Sequence, residues 1–398
     1  MRQALVRSRR APAPTRIAPT RRAISLGGAF ATCAMLVSAC THGSSSAARL
    51  SGVSPTTAPL SPAAASSAAA AASSAEAAVS AAAVSSAAAS EAAVSSAAAV
   101  AGGPDPLTGL PASLAAATRP ALGVKIDNVA GAWPQAGLNQ ADIVFDLPVE
   151  GGLTRLLAVF HSQDVGVFGP IRSARPVDAD LLHLLGHAYF AFSGGTKTDL
   201  GPITDHSNAT PMWWDVTPSL FVIRKDHAVP HQVFGTTAML YAGGQQRAPS
   251  KTPPPAIFSY AVAAPVGAAP AKNITAQYDA ATGAWSWNGK QYLRNQSGHA
   301  DILIDGSQVS ATNVVVMSVA VQNTGARDSH GTVVPLPVVI GSGQVWVFRN
   351  GLMVKGTWSR PAENAPMKLF TSNGQIIALA PGRTWVEVLP NTRLPQIS

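Results

Sequence analysis

Arg172 and Arg175 flank Ser173 in the stretch Gly169-Pro-Ile-Arg172-Ser-Ala-Arg175-Pro-Val-Asp178. Two guanidinium groups just ahead of a helix start can converge on one anion, because each presents a planar fork of N–H donors and the helix end adds unpaired backbone N–H groups. A carboxylate or a phosphate suits that chemistry. The same residues permit a second arrangement, in which Glu150 or Asp178 pairs with the arginines and locks the loop. Such a pair costs desolvation to bury and is strongly destabilising to break. Glu150-Gly-Gly-Leu-Thr-Arg155 supplies one of these acids and a further arginine, and its two glycines equally suit a tight turn between apolar runs.

More polar residues gather where apolar runs end, in Lys125-Ile-Asp127-Asn128, Phe192-Ser193-Gly-Gly195 and Ala228-Val-Pro-His231. The candidate ligand-binding set is therefore Asp127, Asn128, Glu150, Arg155, Arg172, Ser173, Arg175, Asp178, Ser193 and His231. A hydrolase would use Ser173 or Ser193 as nucleophile, with His187 or His231 as base and an aspartate to orient it. Neither a Gly-x-Ser-x-Gly elbow nor a Ser-x-x-Lys motif supports that use. His183 and His187 lie four apart on the expected helix and could share a face as metal ligands do, but no His-Glu-x-x-His accompanies them. Buried, hydrogen-bonded histidines are the competing account. No metal or cofactor is assigned, and no residue is assigned a catalytic role.

Buried strands must carry these groups. Leu122 to Ile126, Ile143 to Val149, Leu156 to Phe160 and Ala188 to Phe192 are short apolar runs of strand length. A helix is expected between the last two: Pro176 suits its first turn, Asp178 and Asp180 the positive end of its dipole, and Gly186 its C-terminal cap. After the Pro/Ala-rich stretch 246–271 the pattern changes to alternation. Asn288-Gly289, Asn350-Gly351 and Asn373-Gly374 then mark hairpins, since Asn-Gly supplies the positive φ that a tight hairpin needs. The expected fold class is α+β, with a mixed α/β first domain over 105–245 and a mostly antiparallel β second domain over 272–398. Trp285, Trp287, Trp346, Trp358 and Trp385 fall in the second; they read as sheet packing, with sugar stacking as the alternative.

The formal charge of +8 invites a polyanion partner until its position is checked. Seven of the 28 basic residues precede Cys40, which leaves 21 against 20 acidic residues and no Lys/Arg cluster beyond that point. A nucleic-acid binder needs such a cluster to displace counterions, so that class is excluded. The only cysteines are Cys33 and Cys40, and Cys33 lies in a stretch expected to be removed. An internal disulfide framework and a CxxC zinc site are thereby excluded.

The Arg-rich residues 1–22 lead into the short, Gly-interrupted apolar stretch Ile24 to Ala39, which reads as a signal peptide rather than a membrane span. It ends Leu36-Val-Ser-Ala-Cys40, similar to the bacterial lipobox, in which small residues admit the peptidase and the cysteine thiol is acylated. Thr20-Arg-Arg-Ala-Ile24 also resembles a twin-arginine export signal, and the general route is equally open. From residue 40 to about 104 the chain is Ser/Ala-rich without an aromatic residue, so it is expected to be a tether that cannot offset its ordering entropy. As a coil, its reach is about 40 to 45 Å. The expected location is the extracytoplasmic face of the cell membrane, held there by a lipid.

Taken in order, these motifs resemble the YerB-like family of bacterial lipoproteins, also called domain of unknown function 3048. The match continues through Asn313-Val-Val-Val316, Gly341-Ser-Gly343, Gly356-Thr-Trp358 and Pro381-Gly-Arg-Thr-Trp-Val-Glu387, spanning roughly residues 106 to 390. The family often has Asn where Gln232 stands here. The resemblance implies a lipobox, a polar tether and two folded parts, and it carries no activity. The reading is a non-catalytic, membrane-anchored protein that binds a cell-wall component or an envelope protein through its first-domain loops. A cell-wall hydrolase with Glu150, Asp127 or Ser173 as reactive group, and a purely structural envelope component, are the alternatives.

Overall fold

A computed structural model describes residues 103–398 apart from 329 and 330. The export segment, Cys40 and nearly all of the tether lie outside the described residues. Among those described, no helix is long and apolar enough to cross a membrane.

The four apolar runs form strands β1 (Leu122–Asp127), β2 (Ile143–Pro148), β3 (Thr154–Phe160) and β4 (Tyr189–Phe192), and every residue in them is buried. Continuous burial means that both faces of the sheet are covered. Leu157 and Val159 of β3 join one core with Val177, Leu181 and Leu182, while Leu156 and Ala158 join the other with Leu240 and Trp285. The expected helix α1 (Pro176–Leu182) lies between β3 and β4, with Pro176 at its first position, and a 3-10 turn extends it to Gly186, whose φ is +66°. Strand β5 (Thr210–Trp213) follows α2 (Lys197–Gly201), and α3 (Thr237–Arg247) closes this part of the chain.

The remainder is chiefly strand: β6 (Asn273–Gln277), β7 (Thr282–Trp287), β8 (Tyr292–Gln296), β9 (Asn313–Val319), β10 (Val321–Arg327), β11 (Val333–Pro337), β12 (Gly341–Arg349), β13 (Leu352–Arg360), β14 (Lys368–Thr371) and β15 (Thr384–Pro390). The main sheet runs in the order β14-β13-β12-β9-β15-β2-β3-β1-β4-β5. Strand β15 sits at its middle, parallel to β9 on one side and to β2 on the other. Strands β6, β7 and β8 form an antiparallel second sheet, and β10 with β11 a separate hairpin. The class is α+β as expected, with a mixed sheet in the first part and chiefly antiparallel pairing in the second, where β9 and β15 are the parallel exception.

The three Asn-Gly turns differ. Asn350 and Gly351 both have positive φ, 54° and 71°, in the two-residue loop between β12 and β13. At the other two only the glycine does, which corrects the uniform expectation. Between β7 and β8 the loop is longer, and the Asn288 side chain accepts from the backbone N–H groups of Lys290 and Gln291 at 2.9 Å each. That is an Asx turn, which needs no left-handed Asn.

Candidate functional site

Asp127 ends β1 and Arg155 is the second residue of β3, and the antiparallel register sets them opposite each other. The segment that follows β3 crosses the same strand ends. Arg172 N–H donates to the Lys125 carbonyl, Ser193 N–H to the Arg172 carbonyl, and Ala174 N–H to the Gly194 carbonyl, which fixes Arg172, Ser173 and Arg175 between the ends of β1 and β4. Glu150 enters from the β2–β3 turn, where Gly151 and Gly152 have φ of +69° and +72°. The turn and the site are one feature there, because only glycine takes that path without strain. His231 arrives from the loop before Val233, its ring packed so closely on Gly131 that a Cβ there would lie 2.9 Å from Nε2.

These elements enclose a cleft of about 430 Å³. Arg175 is bound into its wall: Nε lies 2.5 Å from Glu150 Oε1, Nη2 donates to Glu150 Oε2 at 2.9 Å, and Nη1 donates to the Ala174 carbonyl at 2.7 Å. Arg172 is more open, with 28% of its side chain exposed and Nε 3.0 Å from Asp127 Oδ2. Among the described residues its Nη atoms have no hydrogen-bond acceptor. His231 Nδ1 stands 3.0 Å from the same Asp127 oxygen, while Arg155 Nη1 donates to the Ser173 carbonyl at 3.1 Å. Burial alone would raise the Asp127 carboxyl, but the His231 hydrogen bond and the charges of Arg155 and Arg172 outweigh it and hold the group below its ordinary value. Burial, together with the neighbouring Arg175 charge, lowers Arg155 to about 10 against the pull of Asp127 and Glu150.

Of the residues singled out in the sequence, Asp127, Glu150, Arg155, Arg172, Ser173, Arg175 and His231 line the cleft. Three others do not. Asp178 is fully buried beneath it, 2.6 Å from Lys125 Nζ and accepting from Arg175 N–H at 2.7 Å. Asn128 donates to Thr154 Oγ1 and accepts from Gln135 Nε2. Ser193 contributes its backbone. Sequence reasoning missed Thr196 and Asp199, which also line the cleft. Asp199 Oδ2 accepts from Thr196 N–H at 2.9 Å, a capping box at the start of α2, and the Thr-x-x-Asp spacing was the available signal.

Neither Ser173 nor Ser193 has a side-chain hydrogen bond to a histidine among the described residues. The shared face that a four-residue spacing would have allowed His183 and His187 does not form. The helix ends before Gly186, His183 Nε2 approaches Glu363 at 3.8 Å, and His187 Nε2 meets Thr210 Oγ1 at 3.3 Å. Trp285, Trp346, Trp358 and Trp385 are buried in the cores, and Trp287 is half-buried against Tyr292. Sheet packing accounts for all five.

Comparison with known proteins places this geometry in a family. Residues 107–250 match the family model described as "Protein of unknown function (DUF3048) N-terminal domain", and residues 273–386 match that of the DUF3048 C-terminal domain. A relative from Bacillus subtilis (strain 168), named "Putative lipoprotein YerB", is 25% identical over 315 residues, covering 74% of this chain and 88% of the relative. The crystal structure of the YerB protein from Bacillus subtilis is similar in fold, with a TM-score of 0.63 at 21% identity over 74% of this chain and 98% of that one.

Proposed function

The chain belongs to the DUF3048 family, and on that premise we propose that it is a lipid-anchored, extracytoplasmic protein whose cleft binds an anionic envelope ligand without turning it over. The anchor rests on Leu36-Val-Ser-Ala-Cys40 and on the lipoprotein name of the relative. The observation that carries the binding reading is Arg172. Its Nε forms an ion pair with Asp127 at 3.0 Å, the side chain lines the cleft with 28% of its surface exposed, and its Nη donors lack a hydrogen-bond partner among the described residues. A fork anchored at Nε with unspent donors suits a carboxylate or phosphate, and the preorganisation lowers the entropy lost on binding.

Titration calorimetry with inorganic phosphate and with soluble wall fragments tests this reading. The parent binds one of them, and Arg172→Gln weakens binding about 10- to 100-fold, the worth of a hydrogen bond to a charged group. Absence of binding by the parent overturns the proposal and leaves the structural-component reading. Turnover of the fragments favours hydrolysis instead. The observation on that side is His231: Asp127 holds its Nδ1, and Nε2 has no hydrogen-bond partner among the described residues, as a general base requires.

A further inference from the structure

The Asp127 carboxylate decides which ring nitrogen of His231 carries a hydrogen. Asp127 Oδ2 lies 3.0 Å from His231 Nδ1 and 3.0 Å from Arg172 Nε, while its Oδ1 accepts from Asn128 N–H at 3.0 Å and stands 4.0 Å from Arg155 Nε. Held below its ordinary carboxyl value, the group is ionised and can only accept. Nδ1 therefore donates. In a neutral imidazole that leaves a bare lone pair on Nε2, because one ring nitrogen is then the donor and the other the acceptor. Nε2 has no hydrogen-bond partner among the described residues and, unlike Arg155 Nε, is not sealed from solvent, in a side chain that lines the cleft. The Nη atoms of Arg172 share both properties.

A lone pair on Nε2 repels an oxyanion, whereas a protonated Nε2 donates to one. The charges around the ring tie protonation to binding. Asp127 comes from β1, Arg155 from β3 and Arg172 from the segment after it. Elsewhere in the lining Glu150 pairs with Arg175, and Asp199 and Asp328 add carboxylates. On the histidine's own loop Arg224 and His227 meet Asp226, and Lys225 is exposed. Without an anion, a protonated His231 shares one nearby carboxylate with two guanidinium groups, which oppose the added charge. A bound anion offsets that opposition. Resting on the reading of the cleft as an anion site, we propose that binding takes up a proton: Nε2 of His231 gains it from solvent, and the N–H so formed donates to an oxygen of the ligand held by Arg172. Affinity is thereby set by pH within the histidine range.

The test uses the full chain in detergent and calorimetry at pH 6 and pH 8, with sulfate and acetate as probes because both keep their charge over that window. The expected result is binding about tenfold tighter at pH 6, with runs in buffers of different ionisation enthalpy showing uptake of up to one proton per anion. His231→Gln, whose amide N–H still reaches Asp127 but takes no charge, removes both effects at an unchanged melting temperature. Glu387 and Asp142 also titrate near this window, but neither lines the cleft, and that variant retains both. Failure of both probes to bind at either pH overturns the anion-site reading and this inference with it. Binding with equal affinity and no proton uptake at the two pH values overturns this inference alone, as does a pH dependence that persists in folded His231→Gln. Should that variant fail to fold, the proton count of the parent decides.

Discussion

Arg172 and Arg175 are the same residue type three positions apart, and their surroundings give them different work. Arg175 and Glu150 are both nearly buried and joined by two contacts. Arg175→Gln strands the carboxylate and is expected to cost about 3 to 5 kcal/mol in chemical denaturation. Arg172 keeps more than a quarter of its side chain in solvent, so Arg172→Gln is expected to cost about 1 kcal/mol or less, with the loss appearing in binding instead. Equal destabilisation by both replacements would show that the cleft is scaffold throughout. Lys125 and Asp178 form the deeper support. Burial pulls the Lys125 ammonium below its ordinary range and Asp178 opposes that pull, so neither charge is free to serve a ligand.

At the scale of elements, the second sheet is attached to the main one through β15. Glu387 of β15 accepts from Trp285 Nε1 and from the Tyr278 hydroxyl at 2.9 Å each. Arg294 of β8 donates to Asp146 Oδ2 of β2 at 2.6 Å and stacks over the Trp385 ring at 4.5 Å. Burial, reinforced by the Asp146 charge, raises the Glu387 carboxyl from its ordinary 4.5 to about 7. The folded state therefore keeps a proton that the unfolded chain releases, and this group's contribution to stability falls as pH rises from about 4.5 to 7. Asp142, raised to about 6 by burial and the Asp105 charge, acts in the same direction. Glu387→Gln removes one of these groups. Its stability, measured by denaturant unfolding across pH 4 to 8, is expected to slope less than the parent's by roughly 3 kcal/mol over that window, from the linkage of about 1.4 kcal/mol per pK unit. An unchanged slope would show that Glu387 titrates normally.

For the molecule as a whole, the position of β15 decides what can fold alone. A fragment of residues 103–250 lacks the strand that pairs with Ile143 to Asp146 and leaves β2, apolar except for an Asp146 deprived of its Arg294 partner, at an open sheet edge, a template for aggregation. Such a fragment is expected to lack the near-ultraviolet circular dichroism of the native protein, and a soluble, cooperatively melting fragment would refute this. By contrast, deletion of residues 45–100 is expected to leave the melting temperature unchanged, since that Ser/Ala segment has no aromatic side chain to bury. Cys40→Ala is expected to abolish incorporation of labelled fatty acid, because the sequence has one other cysteine, Cys33, which falls within the segment read as a signal peptide.

Local chemistry was legible in the sequence. The apolar runs, the Pro176 to Gly186 helix, the change to strand-rich sequence after residue 271 and the family resemblance all follow from residue type and near spacing, which are properties of contiguous chain. Seven of the ten candidate binding residues were legible as cleft lining because the ends of buried strands are where polar groups can collect without crossing a core. What the tertiary structure alone decided is pairing at a distance. A buried run such as Val144 to Leu147 reads the same whichever strand lies beside it, so nothing in it announces that β15, more than two hundred residues later, is its neighbour. Likewise Glu150 and Asp178 were equal candidates for the arginines until the fold placed Lys125 against one and Arg175 against the other. An ion pair is fixed by which opposite charge comes within a few ångströms, and sequence spacing does not set that distance across a sheet.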